Sequence, residues 1–409
     1  MNKGAYMQIK ETLDQVGALI KSIQELCEKD YDESIISLTW DLGYMIENIN
    51  QELIGSKKVV FCNLDELESR VTDFKYRKEL VRAYSHWENR MCGVLKQRFQ
   101  AENTWDEKFI KLMDYVQYVD FDIIVEKAKK SLLSQGPELV NKFCVYYQEY
   151  NEMWGLLDVD NSRYDVILNR VTVLKEHRED FIWLYNRLGD WRSKIVLCSM
   201  LYNWITFDLD YIDVMKERNF TDYYDLDLLK CDDQEVIVDL GAWIGDSVEG
   251  YISAYGRYKK IFCYEIDSSS MEEMKKNLSK YSDIEYRNKA AGCKNGRSSL
   301  VVCGPQSTIN RVADGHTGKE IEIVTLDEDI REKITLIKMD IEGAEQDALL
   351  GCSRHIREEK PKLLISVYHN NEDIWKIPRI IYTMNKNYQF YLRSNGWQWG
   401  PAEIVLFAI

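Results

Sequence analysis

A handful of carboxylates and one imidazole stand where apolar runs give way to turns, and these are the residues that could do chemistry. Asp239 lies inside the apolar run EVIVDL, one residue before its end, where an unpartnered charge is costly to bury, so a donor must hold it. The run breaks at Gly241 into a tight turn with a second glycine at Gly245, after which DSVEGYISAYG takes helical spacing. Glycines there let the backbone turn sharply and let a flat or charged ligand approach the N terminus of the next helix. Twenty residues after Gly245, Glu265 ends the run KIFCYE, with Asp267 as a nearby rival. A carboxylate in that place can hold ribose hydroxyls through charge-assisted hydrogen bonds. Further on, Asp340 ends TLIKMD, Glu342 and Glu345 follow it, and His369 ends KLLISVYH. Such groups at strand ends can orient an acceptor and manage its proton.

The glycine turn discriminates between cofactors. A dinucleotide fingerprint needs glycine at the first, third and sixth positions of the turn. Here the third is Trp243 and the sixth Asp246, so NAD and FAD are disfavoured. The spacing DxGxxxG from Asp239 resembles instead the first motif of class I methyltransferases, which bind S-adenosylmethionine. A Rossmann-like domain with a merely structural carboxylate remains the other reading.

Further motifs narrow the resemblance: KMDIEGAE at 338–345, VDLGAWIGDS, the strand-end YEID, VTLDE at 324–328 and SVYHNNEDIW at 366–375. Together they make residues 180–409 similar to the FkbM family of methyltransferases. The resemblance implies an α/β class I methyltransferase fold, S-adenosylmethionine as methyl donor with S-adenosylhomocysteine as product, and O-methylation of a hydroxyl on a sugar, glycan or related natural product. Methylation of a nitrogen, or of a peptide or natural-product scaffold, is the alternative. Cofactor contacts are expected from Asp239, Gly241, Ala242, Trp243, Gly245, Asp246, Ser247, Glu265, Ile266, Asp340 and Tyr224.

Methyl transfer to a hydroxyl requires donor and acceptor held in line and a place for the acceptor's proton. Asp340 either orients the acceptor or the sulfonium end, or caps a helix beginning near Glu342. Glu342 and Glu345 read as the first turn of that helix, where carboxylates suit the dipole, and Glu342 is the second catalytic candidate. His369 is the candidate base, against a structural role. His86, His177, His316 and His355 read as structural. A divalent ion held by Asp327, Asp340 and Glu342 can be imagined, but nothing in their spacing demands one, and no metal is expected. The loop GPQSTINR offers Ser307, Thr308 and Asn310 to a polar acceptor or is a plain turn. Tyr223, Tyr224 and Asp225 precede the first strand and either close over the cofactor or pack.

After Glu235 strand and helix patterns alternate, which builds a mainly parallel sheet with helices on both faces. YQFYLRS and EIVLFAI follow too closely for a crossover and should form an antiparallel hairpin at one edge. Two regions are expected: an all-helical 1–155 for interaction, oligomerisation or substrate recognition, and the FkbM-like domain at 156–409. The latter opens with a helical leader, 156–230, of two helices and an aspartate-rich aromatic loop. Apolar positions in Gln8–Cys27 and in 31–55 recur at steps of three and four, predicting a helical hairpin with a seam fit for a homodimer, an assembly module or ordinary packing.

A net charge of -15 over 409 residues argues against nucleic acid or an anionic membrane as the main partner. The ten cysteines form no CxxC pair or zinc spacing. No apolar run of about 18 residues occurs, so no membrane span and a cytoplasmic location are expected.

Overall fold

The computed structural model describes residues 103–220, 223–302, 310–313, 319–396 and 401–409. The expected hairpin at 8–55, His86, His316, Ser307 and Thr308 lie outside them, as does the side chain of Asn310. The chain divides into two compact units, Met1–Asp120 and Phe121–Ile409. In the first unit, helix α1 (Thr104–Tyr118) starts where the Asn103 side chain accepts the N–H groups of Trp105 and Asp106, satisfying donors that have no partner within the helix.

The second unit opens with helices α2 (Phe121–Ser134), α3 (Pro137–Glu149) and α4 (Asn151–Trp154), followed by the two-residue strands β1 (Leu157–Asp158) and β2 (Arg163–Tyr164). Four helices, not two, occupy the leader: α5 (Asp165–Glu176), α6 (Arg178–Tyr185), α7 (Trp191–Thr206) and α8 (Leu209–Met215). The apolar rhythm hid the breaks at His177 and at Asp190, whose carboxylate accepts the Ser193 N–H and starts α7.

Strand and helix then alternate: β3 (Val236–Leu240), α9 (Asp246–Tyr255), β4 (Lys260–Tyr264), α10 (Ser268–Asn277), β5 (Ile284–Arg287), β6 (Ala290–Ala291), β7 (Gly296–Val302), β8 (Asn310–Ala313), β9 (Lys319–Val324), α11 (Leu326–Asp329), β10 (Leu336–Met339), α12 (Glu345–Leu350), a π-helical turn at His355–Glu359, β11 (Lys362–Ser366), α13 (Asp373–Met384), β12 (Phe390–Ser394) and β13 (Ile404–Ala408). Seven of these strands form one sheet in the order β12-β13-β11-β10-β3-β4-β5. β11, β10, β3, β4 and β5 run parallel, while β13 is antiparallel to both β11 and β12. This is the expected parallel sheet with its C-terminal antiparallel hairpin. The central strands β3 and β10 are buried throughout, as apolar strands covered on both faces must be. The short strands between β5 and β10 make a second, four-stranded sheet, β6-β9-β7-β8, which their sequence did not announce.

The leader is fastened to the edge strand by polar contacts. Ser193 Oγ accepts the Leu392 N–H, and the buried Arg393 guanidinium donates to Asp190 and to Asp225. No helix among the described residues is long and apolar enough to cross a membrane.

Candidate functional site

Strand β3 carries Asp239 into the sheet centre, where it is 2 % exposed. Its donors are the Ser247 hydroxyl and the Lys338 ammonium, the latter 3.1 Å away on the neighbouring strand β10. Lys338 is paired in register with Asp239 and also donates to the Gly241 carbonyl at 2.7 Å. Burial alone would pull the lysine down, but Asp239 and then Asp340 hold it above its ordinary value, so it stays charged. The sequence reading missed Lys338; its signal was a lone lysine inside the apolar run LIKM.

Gly241 and Gly245 have φ of 74° and 88°, which side chains resist. Trp243, between them, is itself left-handed at φ 43° and 44 % exposed. Its N–H donates to Glu265 Oε2 at 2.9 Å, and the Asp267 N–H donates to Oε1 at 2.7 Å. Glu265 therefore braces the turns after β3 and β4 while leaving part of its roughly four lone-pair positions unused. Burial pushes its carboxyl up. The rival Asp267 is spent as a cap, accepting the Ser270 N–H that starts α10. Ala242 is buried, Ile266 half-buried and Asp246 exposed at the first position of α9. An exposed indole, an exposed carboxylate and a braced glutamate around an open glycine turn suit an adenosine with a charged tail.

Tyr224 does not cover this turn. Its hydroxyl donates to the Ser247 carbonyl at 2.7 Å and its ring packs edge-on against Tyr251, so it props α9 from within the core. Asp225 is likewise structural, held by Arg393 and Arg192.

The second group gathers after β10 and β11. The chain does not enter a helix at Glu342: Glu342 and Gly343 are left-handed, at φ 57° and 97°, and α12 begins only at Glu345 with Ala344 at its cap. Asp340 caps nothing; its Oδ2 accepts the Tyr223 hydroxyl at 2.5 Å. His369, wholly buried, has Nδ1 2.9 Å from Glu345 Oε1, and Nε2 3.3 Å from Asp340 Oδ1 and 3.4 Å from Glu342 Oε2. Burial would lower the imidazole, but Glu345, then Asp340 and Glu342, raise it to about 10. An imidazole that keeps its proton near neutrality does not take up another. Asp340 and Glu342, 22 % and 21 % exposed, are the most open of the three carboxylates, and burial pushes Glu342 up to about 7 against the pull of His369. Asp340 stays below the carboxylate range, because His369, Lys338 and Tyr223 outweigh its burial.

Asp327 belongs elsewhere. Its carboxylate accepts the N–H groups of Arg354 and His355, so the imagined set with Asp340 and Glu342 does not form. What converges instead is Asp340, Glu345 and His369, whose ligand atoms lie within 4.8 Å of one another. His355 pairs with Glu359, and His177 stacks on Trp375 beside Asp180, both structural.

A pocket of about 580 Å³ opens beside this cluster, lined by Asn169, Thr172 and Val173 of α5, by Gly343, Gln346 and Asp347, and by Asn370, Asn371 and Glu372. Its wall from α5 was not foreseen, since nothing local in NRVTVLKE marks a binding face.

Residues 239–396 match the family model described as the methyltransferase FkbM domain. Among solved structures, the methyltransferase FkbM from Methylobacillus flagellatus is 28 % identical, with a TM-score of 0.51, over 59 % of this chain and 62 % of that one. The chain thus spans less than two thirds of that protein's length. An rRNA methylase from Streptococcus thermophilus is 15 % identical, with a TM-score of 0.29, over 43 % of this chain and 87 % of that one. Aeropyrum pernix fibrillarin, solved with natively bound S-adenosylmethionine, is 13 % identical, with a TM-score of 0.27, over 44 % of this chain and 70 % of that one. No curated protein matches the chain.

Proposed function

We propose that residues 239–396, a methyltransferase FkbM domain, are the centre of an S-adenosylmethionine-dependent enzyme that methylates a hydroxyl of a sugar, glycan or related natural product. The observation that carries the acceptor class is the pocket beside Glu342 and Gly343. Three asparagines, a glutamine and a threonine line it, and amides and hydroxyls recognise a polyhydroxylated ligand without requiring it to be charged.

The donor, when bound, supplies an electrophilic methyl group on a sulfonium. Glu265 would hold its ribose, and Gly241, Trp243, Gly245 and Asp246 of the glycine turn would hold its tail. Asp340, fixed by Tyr223, stands between glycine turn and pocket and orients the acceptor hydroxyl. Glu342, on its left-handed turn next to Gly343 of the pocket wall, accepts the hydroxyl proton. Because α5 contributes a pocket wall, the leader from 156 belongs with the catalytic region. Residues 1–155 act as an assembly or recognition module that can make a homodimer, and the enzyme works in the cytoplasm.

Transfer of isotopically labelled methyl from S-adenosylmethionine to a panel of sugars and glycans tests the reaction. Calorimetry tests the donor: tight binding is expected, lost in Glu265→Ala. Equal affinity for NAD, or none for S-adenosylmethionine, overturns the reading. For the N-terminal module, light scattering on the full chain should give twice the chain mass, and a monomer removes the dimer.

A further inference from the structure

Two carboxylates after β10 are each anchored on one side and open on the other, and the imidazole between them makes no hydrogen bond from either nitrogen. Asp340 Oδ2 accepts the Tyr223 hydroxyl, while its Oδ1 is buried and makes no hydrogen bond. Glu345 Oε1 accepts the Ile341 N–H at 2.9 Å, while its Oε2 is buried and makes none. His369 Nε2 has oxygens of Asp340 and Glu342 at 3.3 and 3.4 Å, yet the ring is not aligned for a hydrogen bond to either. Its Nδ1 faces Glu345 at 2.9 Å.

Buried polar atoms without hydrogen bonds are rare in folded proteins. Here Asp340, Glu345 and His369 each carry at least one, and each offers a ligand atom within 4.8 Å of the others'. Ligand atoms of one small divalent ion, each about 2.1 Å from it, stand roughly 3 Å apart at right angles, close to the 2.9–3.4 Å between the imidazole nitrogens and the three carboxylates. Three carboxylates around a single imidazole also leave the cluster short of positive charge, a costly state for groups removed from water.

We propose that Asp340, Glu345 and His369 form a divalent-cation site, with Glu342 on its open side, the ion taking the place of the proton that the imidazole holds without it. Carboxylate oxygens combined with an imidazole nitrogen suit Mn²⁺, Fe²⁺ or Zn²⁺ better than the all-oxygen shell of Ca²⁺. Tyr223 and the Ile341 N–H hold the carboxylates in orientation from behind, as outer groups do at metal centres. The site borders the pocket, since a side chain at Gly343 would reach both the Asn370 amide and His369. Resting on the methyltransferase reading, such an ion polarises the acceptor hydroxyl and lowers its pKa.

The test is electron paramagnetic resonance of Mn²⁺ titrated into chelator-treated full-length protein. One ion bound per chain is expected, weakened at least tenfold in Glu345→Gln and in His369→Gln. Both residues are wholly buried, so Asp340→Asn, partly exposed, is the third variant, and circular dichroism melts identify which variants remain folded. No bound Mn²⁺ in the wild type, or equal binding in wild type and the folded variants, overturns the proposal. Mn²⁺ binding without any methyl transfer leaves the ion site standing while the methyltransferase reading falls; methyl transfer with no ion bound does the reverse.

Discussion

Lys338 and Asp239 sit opposite each other on adjacent parallel strands and form a buried ion pair at 3.1 Å, with 5 % and 2 % of their side chains exposed. The same ammonium donates to the Gly241 carbonyl, so one side chain holds both the strand-end carboxylate and the turn that follows it. Lys338→Met leaves Asp239 buried without its counter-ion and should cost about 3–5 kcal/mol in denaturant unfolding. The double variant Lys338→Met with Asp239→Leu removes both charges and should recover most of that stability. It should not recover S-adenosylmethionine binding, because the carbonyl anchor of the turn is gone. Recovery of both would show that the pair serves only folding.

Tyr223 links the segment before β3 to the second group, its hydroxyl meeting Asp340 across 117 residues of sequence. A hydrogen bond to a carboxylate contributes about 1.5–3 kcal/mol, some of it spent on orientation. Tyr223→Phe should lower kcat by about tenfold, with little change in the KM for S-adenosylmethionine and a melting temperature lower by a few degrees. A change confined to that KM would place Tyr223 with the cofactor instead.

Much of this was legible in the sequence, for reasons that lie in particular residues. Val236–Leu240 reads as a buried strand because it is a short apolar run ended by glycine, and Trp243 disfavours a dinucleotide because it stands where glycine is needed. The partner of Asp239 was not legible, since strand register between residues 99 apart in the chain is set by the fold. EGAE looked like a helix start because carboxylates favour helix N termini. Gly343 at φ 97° instead permits a left-handed turn that delays the helix to Glu345 and leaves Glu342 facing His369. The tyrosines before β3 looked like a lid, but Tyr224 spends its hydroxyl on the Ser247 carbonyl. The pocket wall from α5 arises from packing between elements more than 150 residues apart.

Asp329 supplies a pH prediction away from the site. Burial alone would raise its carboxyl, but the Tyr264 hydroxyl, Lys289 and Arg287 outweigh this and hold it below the usual carboxylate range. A carboxyl depressed in the folded state adds stability above its unfolded pKa and loses it as pH falls through the folded value. Wild-type protein should therefore lose stability on acidification below about pH 4 more steeply than Asp329→Asn. At pH 7 the variant should be the less stable of the two. Parallel acid melts of both proteins check it, and identical slopes would remove Asp329 from the account.

The glycine turn allows a prediction with an internal control. Gly241 and Gly256 have nearly the same left-handed φ, 74° and 71°, so alanine meets a similar backbone penalty of roughly 1–2 kcal/mol at each. Their surroundings differ. A Cβ at Gly256 has its nearest neighbour at 4.0 Å, whereas one at Gly241 falls 1.9 Å from the Asp340 carbonyl oxygen. That oxygen is backbone at the end of β10, so no side-chain rotation can clear it; either the turn or the strand end must move. Gly256→Ala should thus lower the melting temperature modestly and keep S-adenosylmethionine binding. Gly241→Ala should abolish binding and separate the glycine turn from Asp340, the two halves of the site. Calorimetry with S-adenosylmethionine on both variants tests this, and equal affinities would mean that the close approach of Gly241 to Asp340 is not what shapes the cofactor turn.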